Sequence, residues 1–479
     1  MTAAAATTAT TRSPAWRWWV CALLLLASAL NYMDRQTLAN AATRITQELG
    51  LSQEQYGDLE FGFGWAFAVG SLGFGVLADR FPVRWVYPGV LVLWSATGFA
   101  TGLVRSYDGL LICRTLLGFF EAGHWPCAVK TTQRLLASHD RSMGNSLLQS
   151  GTSIGAIITP LIMRVMMTPE PGSWRWPFLA VGALGLLWIV AWFLMIRPDD
   201  LASVSPSGDT ESTENSPRST RRSRSRKPEL ISPGHPAMSG AAPGDPRPSL
   251  RGLRVLRGEN PTAPADSTGN PSPGELWRLL VNRRMLVVLV VIALINSGWQ
   301  TLRAWLPKFL QEGRGYTEPE ALYFNSLFYI ATDIGVLGAG ALTLWLHRRG
   351  FAVTSGRLVA FGVCAVLAAT AAAIPALPHG GWLLVLLLVV GAGALGVFPI
   401  YHAFSQDISP HHQGKVTGVA GIAAWALGPP AQKLFGRIVD RTHSFDAGFV
   451  LAGLLPLAAF LVLLLFWPRT TPQPPAASP

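Results

Sequence analysis

The sequence predicts an all-α polytopic membrane protein with twelve transmembrane helices in two six-helix halves, and three observations carry that prediction. Half of the 479 residues are hydrophobic and only 14% are charged; with a mean hydropathy of +0.32, most of the chain suits lipid rather than a soluble core. Apolar windows long enough to cross about 30 Å of hydrocarbon recur six times and then six times more. Between the two sets lies a long stretch rich in Ser, Pro, Gly and Arg, without a sustained apolar pattern. Two sets of equal number imply a repeated architecture with a substrate site at mid-membrane between the halves.

The first six spans are expected at 16–45, 56–78, 85–104, 109–136, 145–167 and 176–196. The second six follow at 285–310, 321–346, 357–374, 382–404, 415–439 and 447–467. The chain thus divides into a first half at 1–198, a linker at 199–274, a second half at 275–468 and a tail at 469–479. Near the start, Arg12, Arg17 and the Ala27-Ser28-Ala29 triplet imitate a cleavable signal peptide. The apolar pattern resumes at Leu38 to Ile45, which favours a retained first span.

The linker lacks the apolar surface to offset the entropy of ordering, so disorder is expected there. Many of the chain's basic residues fall in it, including Arg221-Arg222-Ser223-Arg224-Ser225-Arg226-Lys227. Cytoplasmic retention explains them better than nucleic-acid binding does. With twelve spans, a cytoplasmic linker places both termini in the cytoplasm as well. Cys21, Cys113, Cys127 and Cys364 all fall in apolar spans, where no disulfide and no metal site are expected. Trp16, Trp18, Trp19, Trp85, Trp174, Trp176, Trp382 and Trp467 fall near span ends and read as interfacial anchors.

Charges inside spans carry the functional signal, since each costs about 2.5–3.5 kcal/mol near a helix centre on insertion scales. Asp34 and Arg35 interrupt the first span directly after Tyr32, and Arg114 and Glu121 lie two turns apart on one face of the fourth. When both acids are ionised they balance both arginines, and protonating them frees positive charge for an anion. Arginine suits that task because its planar fork grips a carboxylate bidentately and does not itself deprotonate. The competing reading is a pair of static ion pairs that only pin helices.

Other polar residues admit two readings each. His124 is a proton relay or a hydrogen-bonded structural residue before Pro126. Gln149, Ser150 and Asn145 bind substrate hydroxyls or neighbouring helices. Arg303 and Asp333 pair as a gate between the seventh and eighth spans, Trp299 stacks on a sugar face or packs, and Lys433 snorkels to the interface.

The segment Gly75-Val76-Leu77-Ala78-Asp79-Arg80-Phe81-Pro82-Val83-Arg84 resembles the loop signature between helices 2 and 3 of the major facilitator superfamily, with Pro82 in place of its second glycine. That resemblance implies the major facilitator fold and a cytoplasmic charge latch built on Asp79, Arg80 and Arg84. Within the superfamily, three segments are similar to the anion:cation symporter family, especially its bacterial hexuronate and galactonate members. They are Asn31 to Arg35, Arg114 to Pro126 and Gly151 to Ala156. The resemblance implies that Arg35 and Arg114 contact a substrate carboxylate, that Asp34 and Glu121 carry protons, and that Tyr32 lines the cavity.

The expected function is proton-coupled import of a small organic anion such as a hexuronate, by alternating access, in a monomer of the bacterial inner membrane. No cofactor is expected beyond the proton gradient, since no phosphate-cradling loop is present. No metalloprotease or serine-hydrolase motif supports an enzyme. The alternatives are a transporter-like sensor that signals through the linker, and a carrier exchanging a different carboxylate.

Overall fold

The structure, a computed structural model, describes residues 14–136, 141–201, 282–406 and 413–467. The linker beyond Leu201 and the tail at 469–479 lie outside the described residues, as do the side chains of Asp79 and Asn145. The described residues are helical, without a strand. The first half contributes α1 (Pro14–Leu49), α2 (Gln53–Arg80), α3 (Val83–Thr101), α4 (Tyr107–Glu121), α5 (His124–Leu135), α6 (Arg141–Met166) and α7 (Arg175–Met195). A short turn of 3-10 helix, Pro198–Leu201, closes it. The second half contributes α8 (Arg283–Lys308), α9 (Glu318–Arg348), α10 (Val353–Ala369), α11 (Gly381–Gly396), α12 (Phe398–Gln406), α13 (Gln413–Ala426), α14 (Gly428–Thr442) and α15 (Asp446–Phe466).

Three expected spans are broken where proline withdraws a backbone donor from the helical ladder. Pro126 leaves the Ala122 carbonyl without its partner, and the fourth rod divides into α4 and α5 around Ala122 and Gly123. Pro399 has the same effect between α11 and α12, and Pro429 and Pro430 between α13 and α14. Taking each broken pair as one rod leaves six rods in each half of the described chain. Seven of these rods are long and apolar enough to cross a membrane. α1 is not among them, and it carries Asp34, Arg35 and Arg44 in its length.

Each half has its own apolar cluster, around Trp94, Trp188 and Trp192 in the first and around Val291, Phe361 and Leu463 in the second. A third cluster joins the halves through Tyr56 and Leu59 of α2 and Trp305, Phe435 and Phe445 of the second half. The α2–α14 contact is close enough to require glycine. A Cβ on Gly57 would stand 2.6 Å from the Gln432 carbonyl oxygen, and Gly436 lies closer still to that of Gln53.

Polar contacts seal the halves together at the end where α1 turns into α2. Arg44 grips Glu318 with two nitrogens at 2.7 and 2.5 Å, and Arg437 meets Glu54 at 2.6 Å. Asp440 of α14 accepts from the backbone amides of Gln53 and Glu54 at 2.8 and 2.7 Å, capping the N-terminus of α2 from the other half. Lys433, expected to snorkel, instead pairs with Asp58 at 2.8 Å across the same seam. Among the tryptophans, Trp19, Trp85, Trp176 and Trp382 are exposed as anchors should be. Trp174 is fully buried and donates to Glu48 at 2.7 Å, so it belongs to the core and not to the interface.

Candidate transport site

Beneath the sealed end, α1, α2, α4 and α8 bring six charged side chains into the core. Arg35 and Asp34 come from α1, Glu60 from α2, Arg114 and Glu121 from α4, and Arg303 from α8; all are buried. Arg35 Nε donates to Glu121 Oε2 at 2.7 Å. Arg114 Nη2 donates to Glu60 Oε1 at 2.7 Å, and Arg303 Nη2 to Glu60 Oε2 at 2.6 Å. Glu60 therefore bridges an arginine of each half with one carboxylate. Three acids face three arginines, so the ionised cluster is neutral.

The pairing corrects two expectations. Arg114 and Glu121 share a helical face, yet each bonds a residue of another helix. Arg303 does not pair with Asp333: its guanidinium runs to Glu60 and to Gln300 Oε1, at 2.7 Å for the latter, whereas Asp333 accepts from Ser153 Oγ at 2.9 Å. Arg303 points along α8 toward the cluster, while Asp333 sits on the cavity wall.

Hydrogen-bonding capacity is left over around the cluster. Arg35 Nη2, Arg114 Nε and Nη1, Arg303 Nη1, Glu121 Oε1 and Asp34 Oδ1 are buried without a hydrogen-bond partner. Each is costly to leave unmade in a core, so unspent donors on three arginines mark a place prepared for an acceptor. Aromatic rings fix the arginines from the sides. The Arg35 guanidinium lies 4.8 Å from the Phe67 ring, 5.3 Å from Phe63 and 6.0 Å from Trp425, and Arg114 lies 4.2 Å from Phe63. Gly98 of α3 makes room for Asp34, since a Cβ there would stand 2.9 Å from its Oδ1.

A cavity of about 390 Å³ adjoins the cluster on the side away from the seal. Its walls include Tyr32, Gln149, Ser153, Trp299, Asp333 and His402. Arg35 and Arg303 each follow a cavity residue, Tyr32 or Trp299, by about one helical turn on helices that run toward the sealed end. The charged cluster thus lies about one helical turn beyond the cavity walls, toward the sealed end. Tyr32 meets Tyr329 edge to face at 6.2 Å, and Trp299 stacks on Phe328.

The remaining expected residues are placed as follows. His124 is fully buried, and both ring nitrogens are engaged by hydroxyls, Nε2 with Ser28 Oγ at 3.0 Å and Nδ1 with Tyr87 at 2.9 Å. Through these two hydroxyls it ties the α4–α5 break to α1 and α3. Arg80 is exposed. Arg84 donates to the Ile196 carbonyl at the end of α7, 3.2 Å away. Glu60 was not anticipated, although an acid inside the second apolar window is the same signal that singled out Asp34.

A family model described as Major Facilitator Superfamily matches residues 24–432. The D-galactonate transporter of Escherichia coli O6:H1 is 25% identical over 360 residues, covering 74% of this chain and 73% of its own. The hexuronate transporter of Escherichia coli K12 is 24% identical over 450 residues and 93% of either chain. The galacturonate transporter of Dickeya chrysanthemi is 23% identical over 357 residues, covering 72% of this chain and 89% of its own. Among solved structures, a bacterial homologue of the human lysosomal transporter Spinster superposes with a TM-score of 0.71 at 17% identity, over 96% of this chain and all of that one. The nucleoside transporter NupG superposes with a TM-score of 0.63 at 13% identity. With the family model spanning both halves and the same fold in its structural neighbours, the chain belongs to the major facilitator superfamily and is a multi-pass membrane transporter, not an enzyme.

Proposed function

We propose that this protein carries a small sugar acid, such as a hexuronate or aldonate, into the cell together with protons. One observation carries the reading: the buried Arg35–Glu121 pair at 2.7 Å, with a free donor on the arginine and a free acceptor on the glutamate. A proton on Glu121 cancels its charge and releases Arg35, whose fork then takes the substrate carboxylate. Asp34, beside it on α1 and with Oδ1 unpartnered, is the second proton carrier. Each proton adds one positive charge to a neutral cluster, so anion and proton enter together and leave together.

The cavity suits the rest of such a molecule. Trp299 and Tyr32 offer faces for a sugar ring, and Gln149, Ser153 and Asp333 offer partners for hydroxyls. Relatives named for galactonate, hexuronate and galacturonate transport support this substrate class. The basic linker supports cytoplasmic termini and an inner-membrane location. In that orientation the sealed end faces outward and the cavity opens inward.

The deciding experiment is uptake of labelled galacturonate and galactonate into proteoliposomes, with and without an inward proton gradient, for the wild type and Arg35→Ala. Gradient-driven accumulation by the wild type and its loss in the variant are expected. Accumulation unaffected by collapse of the gradient would overturn proton coupling, and failure of folded wild type to take up any sugar acid would overturn the substrate class.

A further inference from the structure

The cluster holds two carboxylate-sized places, one filled by Glu121 and the other by Glu60. Arg35 is held by Glu121 from within its own half, an exchangeable partner on the reading above. Arg114 and Arg303 are held by Glu60, each carboxylate oxygen taking one guanidinium, at 2.7 and 2.6 Å. That bidentate bridge is the geometry in which a free carboxylate would sit between two arginines. Arg114 Nε and Nη1 and Arg303 Nη1 remain buried and unpartnered, so the place has more donors than Glu60 uses.

We propose that Glu60 is a built-in stand-in for a second substrate carboxylate, and that it makes the transporter select monocarboxylates against dicarboxylates. The proposal rests on the sugar-acid reading. Its physical basis is charge and space together. With Glu60 in place only the Arg35 site can be vacated, so one carboxylate can be matched. A second carboxylate on the same substrate meets a place between Arg114 and Arg303 that the ionised Glu60 already fills, and bringing it there would set two like charges side by side in the core. The surrounding groups reinforce the occupancy. Arg114 faces Glu60 from α4 and Arg303 from α8, Tyr56 precedes it by one turn on α2, and Arg35 on α1 is committed to Glu121. Lys433 on α14 is committed to Asp58. The aromatic wall of Phe63 supports Arg35 and Arg114 together, keeping the two places side by side.

Removing the stand-in should leave an anion hole of known shape. In Glu60→Ala, formate can span Arg114 and Arg303 as Glu60 did. In purified protein, formate is expected to raise the melting temperature of Glu60→Ala by about 3 °C, with no rise in the wild type and none with chloride. In proteoliposomes, the concentration of galactarate, a six-carbon dicarboxylate, that halves galacturonate uptake should fall about tenfold in Glu60→Ala or the isosteric Glu60→Gln relative to wild type. Glu60→Gln serves where the alanine variant fails to fold.

Equal formate response in wild type and Glu60→Ala would overturn the stand-in role, as would an unchanged ranking of galactarate and galacturonate in a transporting variant. Wild type that prefers galactarate would overturn the selection. Absence of sugar-acid uptake by the wild type would instead fail the substrate reading. The formate measurement would still report on the vacated place, so the two failures are separable.

Discussion

Arg35 and Arg114 were expected to serve alike, and the structure gives them different partners. Arg35 is held by an acid of its own half, Arg114 by an acid that also holds Arg303 of the other. Glu121→Gln removes the charge that occupies Arg35, fixing the protonated state of the pair. Substrate exchange between equal concentrations should persist in this variant, while accumulation driven by a proton gradient should fall at least about tenfold. Gradient-driven accumulation at the wild-type level would show that Glu121 carries no coupled proton. His124 predicts the reverse pattern. His124→Leu strands the buried hydroxyl of Tyr87 and leaves Ser28 with only its bond to the Leu24 carbonyl, and a destabilisation of about 1–3 kcal/mol follows from the unmade bonds. The pH profile of uptake should remain that of the wild type, and a shifted profile would favour the relay. The residue-scale signal in the sequence was charge within apolar windows, which located Arg35, Arg114 and Glu121 directly. It could not supply the pairing, because Glu60 and Arg303 stand 243 positions apart on helices whose contact no periodicity announces.

At the scale of elements, the apolar windows located the rods well and their interruptions poorly. Hydropathy averages over a window, so it runs through Ala122, Val397 and Leu427, where the backbone loses single hydrogen bonds to Pro126, Pro399 and the Pro429-Pro430 pair. Those breaks matter to the site: the α4–α5 break sets Glu121 at the end of its helix, one turn from His124 and its hydroxyl partners. The α2 terminus shows a second device hidden from sequence, since its first amides are capped by Asp440 from α14 as well as by Ser52 from the same chain segment. A carboxylate at a helix N-terminus gains from two amides and from the helix dipole. Asp440→Asn should therefore weaken the seal by about 1 kcal/mol. Hydrogen exchange at the amides of Gln53 and Glu54 measures it directly. Unchanged protection there would mean that these two amides do not depend on the charge of Asp440, since Ser52 accepts from Gln55 instead.

Across the whole molecule, the two halves are joined by two kinds of contact that answer to different conditions. The deep one is the Glu60 bridge, walled by Phe63, Tyr56 and Trp305 and shielded from salt. The outer one is the belt of Arg44–Glu318, Arg437–Glu54 and Lys433–Asp58, whose side chains are partly open to solvent. Exposed pairs contribute about 0.2–1 kcal/mol each, so removing two of them should cost the sealed state about 1 kcal/mol. That corresponds to about a fivefold change in the ratio of sealed to open forms. Thr43, buried just inside the belt with its hydroxyl unpartnered, is a suitable reporter. In a background where Cys21, Cys113, Cys127 and Cys364 are replaced by serine, Thr43→Cys should react slowly with a membrane-impermeant thiol reagent added outside intact cells. Adding Arg44→Ala and Arg437→Ala should raise that rate about fivefold, and 1 M salt should achieve part of the same rise without mutation, because the Debye length falls to about 3 Å. Glu60 substitution should raise it as well, but without a salt dependence of its own. Were the belt decorative, the double variant would label at the parent rate. Were the sealed end cytoplasmic, only reagent delivered to inverted vesicles would label at all, and the direction assigned to import would reverse with it.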